Sequence, residues 1–170
     1  MKDQRQQPWL FQVEPYPEES FGHFLGRFRR ANLLRSSHLS ALLGVSFHTV
    51  SYWETPSRRR TPGAKELKHL SRLLGIEEKR LRAMWALQGN QVNWQTRLCA
   101  QCYVEAPYHK LTWQRANISH CERHQQQLLS ACPRCRNDFL LPVYWEKGQC
   151  DRCRLSFKEM VPYQNSTKGG

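Results

Sequence analysis

The chain of 170 residues has no cysteine before Cys99, no apolar run of bilayer length, and few acids: 14 Asp and Glu against 26 Lys and Arg. A membrane-spanning helix needs about 20 consecutive apolar residues. The opening segment, residues 1–20, holds no apolar stretch of signal-peptide length. The expectation is a cytoplasmic protein with no membrane partner, in a reducing compartment where disulfides are rare. Enzyme signatures are missing too. There is no P-loop, no nucleophile elbow and no H-E-x-x-H. His120-Cys121-Glu122 and Cys132-Pro133-Arg134-Cys135 echo the zinc deaminases only superficially. Ala131 replaces the proline expected before Cys132, and the other cysteines would be left unpartnered. No catalytic residue is therefore assigned, and no small-molecule substrate is expected. The net charge of +12 points instead to a polyanion. It is spread over both halves, +7 in residues 1–94 and +5 in residues 95–170.

The cysteine-free half reads as helices. Ser20 caps a first one, with Phe21, Phe24, Leu25 and Phe28 at the i, i+3, i+4, i+7 spacing of one buried face. Glu18 and Glu19 sit at its positive end, and Arg27, Arg29 and Arg30 toward its negative end, as the macrodipole favours. A second helix runs from about Ser36 to Leu43 and stops at Gly44. A third follows Ser46, turning Val50 and Trp53 inward. Thr61-Pro62 opens a fourth that Gly75 closes, and a fifth spans about Glu77 to Leu87. Residues Leu39–Ser46, then Thr49-Val50-Ser51 and Trp53-Glu54, resemble the helix-turn-helix of Cro- and repressor-type DNA-binding domains. Gly44 would make the turn, Val45 plug the angle and Ser46 cap the recognition helix. The outward positions of that helix, Phe47, His48, Ser51 and Tyr52, include none of the Arg, Lys, Asn or Gln that read base edges. Phe47, His48 and Tyr52 suit a partner surface better. Arg58, Arg59 and Arg60 suit phosphates, which carry no base sequence.

The seven cysteines and His124 form four short pairs. Cys99 and Cys102 precede Cys121 and His124 by 18 intervening residues; Cys132 and Cys135 precede Cys150 and Cys153 by 14. Each C-x-x-C is expected on one tight turn with its two thiolates converging, and two turns complete a closed tetrahedral zinc site. His124 supplies the eighth ligand, so seven cysteines serve two Zn2+ ions. Sequential pairing and a cross-braced exchange of the middle pairs both remain open on spacing alone. Arg123, Arg134, Arg152 and Arg154 sit within or beside these pairs and are candidate phosphate contacts. The fold class expected is a mainly α helix-turn-helix domain followed by two small zinc ribbons of short β hairpins and helices. Its parts are an extended arm (1–19), the helical domain (20–94), ribbon one (95–128), ribbon two (129–160) and a flexible tail (161–170).

Several motifs together resemble the TniQ family of transposition proteins. They are Pro15-Tyr16-Pro17-Glu18-Glu19-Ser20-Phe21 with Leu25-Gly26-Arg27, Leu98-Cys99-Ala100-Gln101-Cys102, Trp113-Gln114-Arg115, Cys121-Glu122-Arg123-His124-Gln125, Leu128-Leu129 and Cys132-Pro133-Arg134-Cys135. The resemblance runs from about Trp9 to Cys153 and is greatest to compact bacterial members from CRISPR-associated transposons with a single-protein effector. It implies a non-catalytic adaptor between an RNA-guided CRISPR effector with its guide RNA, target DNA, and the AAA+ ATPase TnsC that recruits the transposase. The C-terminal domain of longer relatives has no counterpart here. The arm triplet Trp9, Leu10 and Phe11 is the candidate docking element for the ATPase; its alternative is a flap folded onto the first helix. A zinc-containing helix-turn-helix regulator bound to a DNA operator is the rival function.

Overall fold

Ser20 starts the first helix as its spacing predicts: its Oγ accepts the His23 N–H at 3.4 Å. Helix α1 (Phe21–Ala31) buries Phe21, Phe24, Leu25 and Phe28 almost completely. Helix α2 (Ser36–Leu43) ends at Gly44, whose φ of 65° is a left-handed turn that favours glycine. Helix α3 (Phe47–Trp53) is capped by Ser46, whose Oγ accepts the Thr49 N–H at 3.2 Å. This computed structural model describes residues 9–58, 60–85, 92–140 and 142–165. It is mainly helical.

Two helices depart from expectation. Helix α4 (Ala64–Leu74) starts after Gly63 rather than at Thr61-Pro62. The Glu66 carboxylate reaches back to accept the Gly63 N–H at 2.7 Å, which fixes the start there. Helix α5 (Glu78–Ala83) is shorter than predicted, with Leu81 and Met84 turned into the core; the predicted end at Leu87 lies outside the described residues. Leu39, Leu43, Val50, Trp53, Leu67, Leu70 and Leu81 complete this first core around α1. Each fully buried side chain of this kind contributes about 1.5–3 kcal/mol. Gly22 is where α1 passes closest to the end of α3: a Cβ there would lie 2.8 Å from the Trp53 carbonyl oxygen.

The charges flanking α1 do more than complement its dipole. Glu19 is buried. It accepts from Arg27 Nε and Nη2 at 2.9 and 2.8 Å, from the Tyr16 N–H at 2.9 Å, and pairs with His23 Nδ1. Burial alone would raise its pKa, but the hydrogen bonds from Arg27 and His23 and the neighbouring charge hold it below the ordinary carboxylate value. Arg29 pairs with Glu54 at 2.6 Å, and Arg30 Nε reaches Glu146 at 3.0 Å.

The second core draws on residues 98–160: Leu98, Tyr103, Trp113, Leu128, Phe139, Trp145, Leu155, Phe157 and Met160, together with buried cysteines. Its regular elements are α6 (Ala100–Glu105), α7 (Phe157–Met160) and single 3-10 turns at Leu111–Gln114, Pro142–Trp145 and Val161–Gln164. Where ribbon hairpins were expected, the pairing among the described residues is reduced to isolated bridges, such as Ala131 with Asp138 and Gln149 with Ser156. Residues 95–128 and 129–160 share this one core. The 3-10 turn at Val161–Gln164 belongs to it as well, not to a loose tail: Gln164 is buried, accepts the Ala100 N–H at 2.9 Å and donates to the Gln127 carbonyl at 2.6 Å. Ser166–Gly170 lie outside the described residues.

The two cores meet along residues 18–20 and 109–111. Glu19 bridges Lys110, the Ser20 N–H donates to the His109 carbonyl at 2.9 Å, and the Leu111 N–H to the Glu18 carbonyl at 2.8 Å. The His109 ring is enclosed, with Nδ1 2.8 Å from Ser20 Oγ and Nε2 3.0 Å from the Arg97 carbonyl. Burial pulls its pKa down to about 3, so it is neutral. No helix among the described residues is long and apolar enough to cross a membrane.

Candidate metal centres

Three of the four pairs adopt one backbone form. In residues 121–125, 132–136 and 150–154, the fifth residue returns its N–H to the first cysteine's carbonyl at 2.8, 2.9 and 3.0 Å. That fifth residue, Gln125, Arg136 or Arg154, is left-handed, with φ of 53°, 60° and 62°. The first cysteine's own N–H closes the loop onto Gln126, Asn137 or Leu155 at 2.8, 2.9 and 2.8 Å. Bridges one residue outside, at His120–Gln127, Ala131–Asp138 and Gln149–Ser156, brace each turn. The turns also aim backbone N–H groups at sulfur. Those of Arg134 and Cys135 serve Cys132, those of Arg152 and Cys153 serve Cys150, and that of Leu155 serves Cys153. Each such donor stabilises a thiolate.

The Cys99 pair differs from the expected tight turn. Cys99 caps α6 and Cys102 lies in its first turn. The spacing i, i+3 fits one face of a helix as well as it fits a turn, so both sulfurs still point the same way.

Sequential grouping results. Cys99, Cys102, Cys121 and His124 offer four ligand atoms all within 4.8 Å of one another, as do Cys132, Cys135, Cys150 and Cys153. His124 Nδ1 lies 3.5, 3.3 and 3.7 Å from the sulfurs of Cys99, Cys102 and Cys121, and Cys102 Sγ lies 3.5 Å from Cys121 Sγ. In the second group Cys132 and Cys153 approach to 3.5 Å, Cys135 and Cys150 to 3.7 Å. An ion bound tetrahedrally by sulfur at about 2.3 Å and nitrogen at about 2.0 Å sets S···S at about 3.8 Å and S···N at about 3.5 Å. The observed distances match. All seven thiols are free, and a disulfide would need about 2.05 Å.

The electrostatics point the same way. The Cys121 thiol is pulled down by hydrogen bonds from Cys102 and Cys99, while Cys102 is pushed far up by its contacts with Cys121 and Cys99 and by burial. Burial pushes Cys132 up to about 12, whereas the Leu155 N–H helps hold Cys153 near 7. The three adjoining sulfurs of the first group and the four of the second do not all ionise unless a cation neutralises them. Both groups can therefore hold a metal ion.

Beyond the ligands, Glu105 at the end of α6 accepts from His124 Nε2 at 2.9 Å and from Gln101 Nε2 at 3.3 Å, and forms an ion pair with Arg123 at 2.8 Å. The hydrogen bond from His124, then that from Gln101, lower its pKa, and the Arg123 charge adds a little in the same direction. No spacing rule pointed to Glu105 while Cys99–Cys102 was read as a turn; once α6 is known, it lies three residues beyond Cys102 on the same face. Arg136 carried a readable signal: C-E-R-H-Q, C-P-R-C-R and C-D-R-C-R align with arginine in the third place and Gln125, Arg136 or Arg154 in the fifth.

The remaining candidates scatter. Among the basic ones, Arg123 pairs with Glu105, Arg134 with Glu159 at 3.7 Å, and Arg60 with Glu66 at 3.9 Å. Arg58 stacks over Tyr52 with 5.5 Å to the ring centroid. Arg136, Arg152 and Arg154 are exposed and make no ion pair among the described residues; Arg59 lies outside them. The arm divides. Trp9 packs edge-on against Phe28 at 5.1 Å, while Leu10 and Phe11 are 81% and 51% exposed. Asn32 clamps the Phe11 backbone, accepting its N–H at 3.2 Å and donating to its carbonyl at 3.0 Å. Phe47, His48 and Tyr52 all face solvent from α3.

No curated protein matches the chain. The family model named TniQ matches residues 10–128, spanning the arm from Leu10 onward, the helices and the first Cys/His group but ending short of Cys132–Cys153. With well over half its length matched, and with the capped helices and the first Cys/His group inside that span, this chain belongs to the TniQ family.

Proposed function

We propose that this protein is a non-catalytic transposition adaptor, linking an RNA-guided CRISPR target-recognition complex to the AAA+ regulator TnsC and through it to the transposase. The observation that carries the reading is the divided arm. Trp9 roots it on α1 and Asn32 clamps the Phe11 backbone, while the Leu10 and Phe11 side chains stay exposed, so two large apolar side chains are presented at little cost in ordering. Such anchors are typical of protein interfaces. On α3, Phe47, His48 and Tyr52 form a second candidate partner face. We read α2, Gly44 and α3 as a helix-turn-helix whose exposed face suits a partner rather than base edges. The operator-binding regulator gains no comparable support.

Zinc is the ion we assign to both groups, because closed all-thiolate and three-thiolate-plus-imidazole tetrahedra favour it over hard cations. The residues form a helical part rooted by the arm and a zinc module that includes residues 161–165. Seven thiolates and two dications together remove three charges, so +12 becomes +9 and the C-terminal +5 becomes +2. Arg58, Arg59, Arg60, Arg123, Arg134, Arg152 and Arg154, now with Arg136, are the proposed phosphate contacts for guide RNA or target DNA. Their binding should weaken steeply between about 50 and 200 mM salt, and insensitivity there would exclude them.

The decisive experiment replaces Leu10 and Phe11 together with alanine. Pull-down of TnsC and RNA-guided integration should both fall by roughly 30-fold or more, the loss of about 2 kcal/mol expected of an interface anchor. The melting temperature should stay put. TnsC binding at the wild-type level would refute the docking role.

A further inference from the structure

The two metal groups are unlike in one respect that ligand identity does not capture. The group of Cys132, Cys135, Cys150 and Cys153 is built from two turns of the same form. The other combines one such turn with α6, and α6 carries more than its two cysteines. Cys99 caps it, Cys102 lies in its first turn, and Glu105 is its last residue, three positions beyond Cys102. Glu105 Oε1 stands 2.9 Å from His124 Nε2 and 3.3 Å from Gln101 Nε2, and its other oxygen 2.8 Å from Arg123 Nη2. Meanwhile His124 Nδ1 faces all three sulfurs at 3.3–3.7 Å. The histidine is thus gripped at both nitrogens, one by the ligand cluster and one by a carboxylate that is itself held by Gln101 and Arg123.

From this geometry we infer that Glu105 is the positioning residue of the first metal centre. It holds the His124 proton on Nε2, so that Nδ1 carries the lone pair toward the metal, and it fixes the ring plane. A metal-bound histidine whose far N–H meets a carboxylate is more basic and better oriented than one facing water. The carboxylate touches no metal. It acts through His124, and the second centre, which has no imidazole, has no use for such a group. One helix therefore delivers two ligands and the group that orients a third. This rests on the metal reading given above, and the two fail differently: a wild-type protein that binds no ion refutes the metal centres, whereas the Glu105 assignment is tested only by differences between variants that bind two.

The test loads the full chain with two zinc ions and follows their release to the chromogenic chelator 4-(2-pyridylazo)resorcinol. Glu105→Ala should speed one of the two release phases by roughly 10–100-fold and leave the other unchanged, the range typical for losing such a partner. Glu105→Gln, which keeps an acceptor but loses the charge, should fall between. In a His124→Cys background, where no N–H needs orienting, Glu105→Ala should have no effect. Long-range nitrogen–proton NMR of the wild-type protein should show His124 protonated on Nε2. The assignment is overturned if release is unchanged in Glu105→Ala, if both phases quicken alike, if the effect persists in the His124→Cys background, or if Nε2 is the metal-bound nitrogen. Should Glu105→Ala fail to fold, Glu105→Gln measured in both backgrounds decides by the same criteria.

Discussion

The two halves of this protein solve the same problem with different materials. Residues 21–84 close a core with phenylalanine, leucine and tryptophan on five helices, which is how a helical unit offsets its conformational entropy. Residues 98–160 have a comparable set of aromatics but barely any regular structure, and five of their buried core positions are cysteines. A sulfur cluster contributes little as packing and resists ionisation unless a cation is present. The first core is held by area. The second is held by area and by two Cys/His groups that can each hold a metal ion, and that difference sets how each should fail.

The largest expected effect follows directly. Structural zinc contributes roughly 10–16 kcal/mol in small modules, more than most domains possess in total. Stripping the ions with a strong chelator should abolish the near-ultraviolet circular dichroism of Trp113 and Trp145 while most of the helical far-ultraviolet signal from residues 21–83 survives. Simultaneous collapse of both signals would mean the helical half has no independent stability. An unchanged near-ultraviolet signal after verified metal loss would mean the second core stands by packing alone.

The converse perturbation is smaller. Leu70 is fully buried in the helical core, and Leu70→Ala should cost roughly 2–5 kcal/mol by lost transfer energy and the cavity left behind. Denaturant unfolding followed by helical signal measures it, and both metal ions should remain bound. Loss of an ion in this variant would show that the two cores unfold as one unit, erasing the distinction.

How far sequence alone reaches also differs between the halves, for a physical reason. Ser20, Gly44, Ser46 and Gly75 mark helix ends through interactions within three or four residues, and all four act as expected. The start of α4 misleads because Thr61-Pro62 and Glu66 compete as local signals, and the carboxylate at Gly63 prevails. Ligand identity was legible as spacing, since few patterns bring eight sulfur and nitrogen donors together. The backbone beneath Cys99–Cys102 was not, because i, i+3 satisfies helix and turn alike. Glu105 and the two-sided grip on His109 depend on contacts across 19 and 89 residues, which no local rule sees. Nor does composition reveal that Trp9 turns inward while Leu10 and Phe11 turn out. That choice is made by Phe28 and Asn32 on a helix some 20 residues away.

The joint between the halves offers the smallest and sharpest test. His109 is sealed between Ser20 on one side and Arg97 on the other, and its pKa falls from an ordinary 6.5 to about 3 through burial. The unfolded chain therefore binds a proton that the folded chain refuses between those two values. Stability from this group is complete above pH 6.5 and drains as pH falls toward 3, at about 1.4 kcal/mol per pH unit. Glu19 adds to the same trend only lower down. Its folded pKa lies below the ordinary 4.5, so its contribution is present above that value and lost as pH drops through the folded one. Metal loss in acid weakens the protein as well, which is why the comparison must be with His109→Gln, a variant that keeps both centres. Between pH 6.5 and 5, the stability of wild type should fall more steeply than that of the variant by that same 1.4 kcal/mol per unit. Parallel curves would mean that His109 is reached by water and protonated in the folded state.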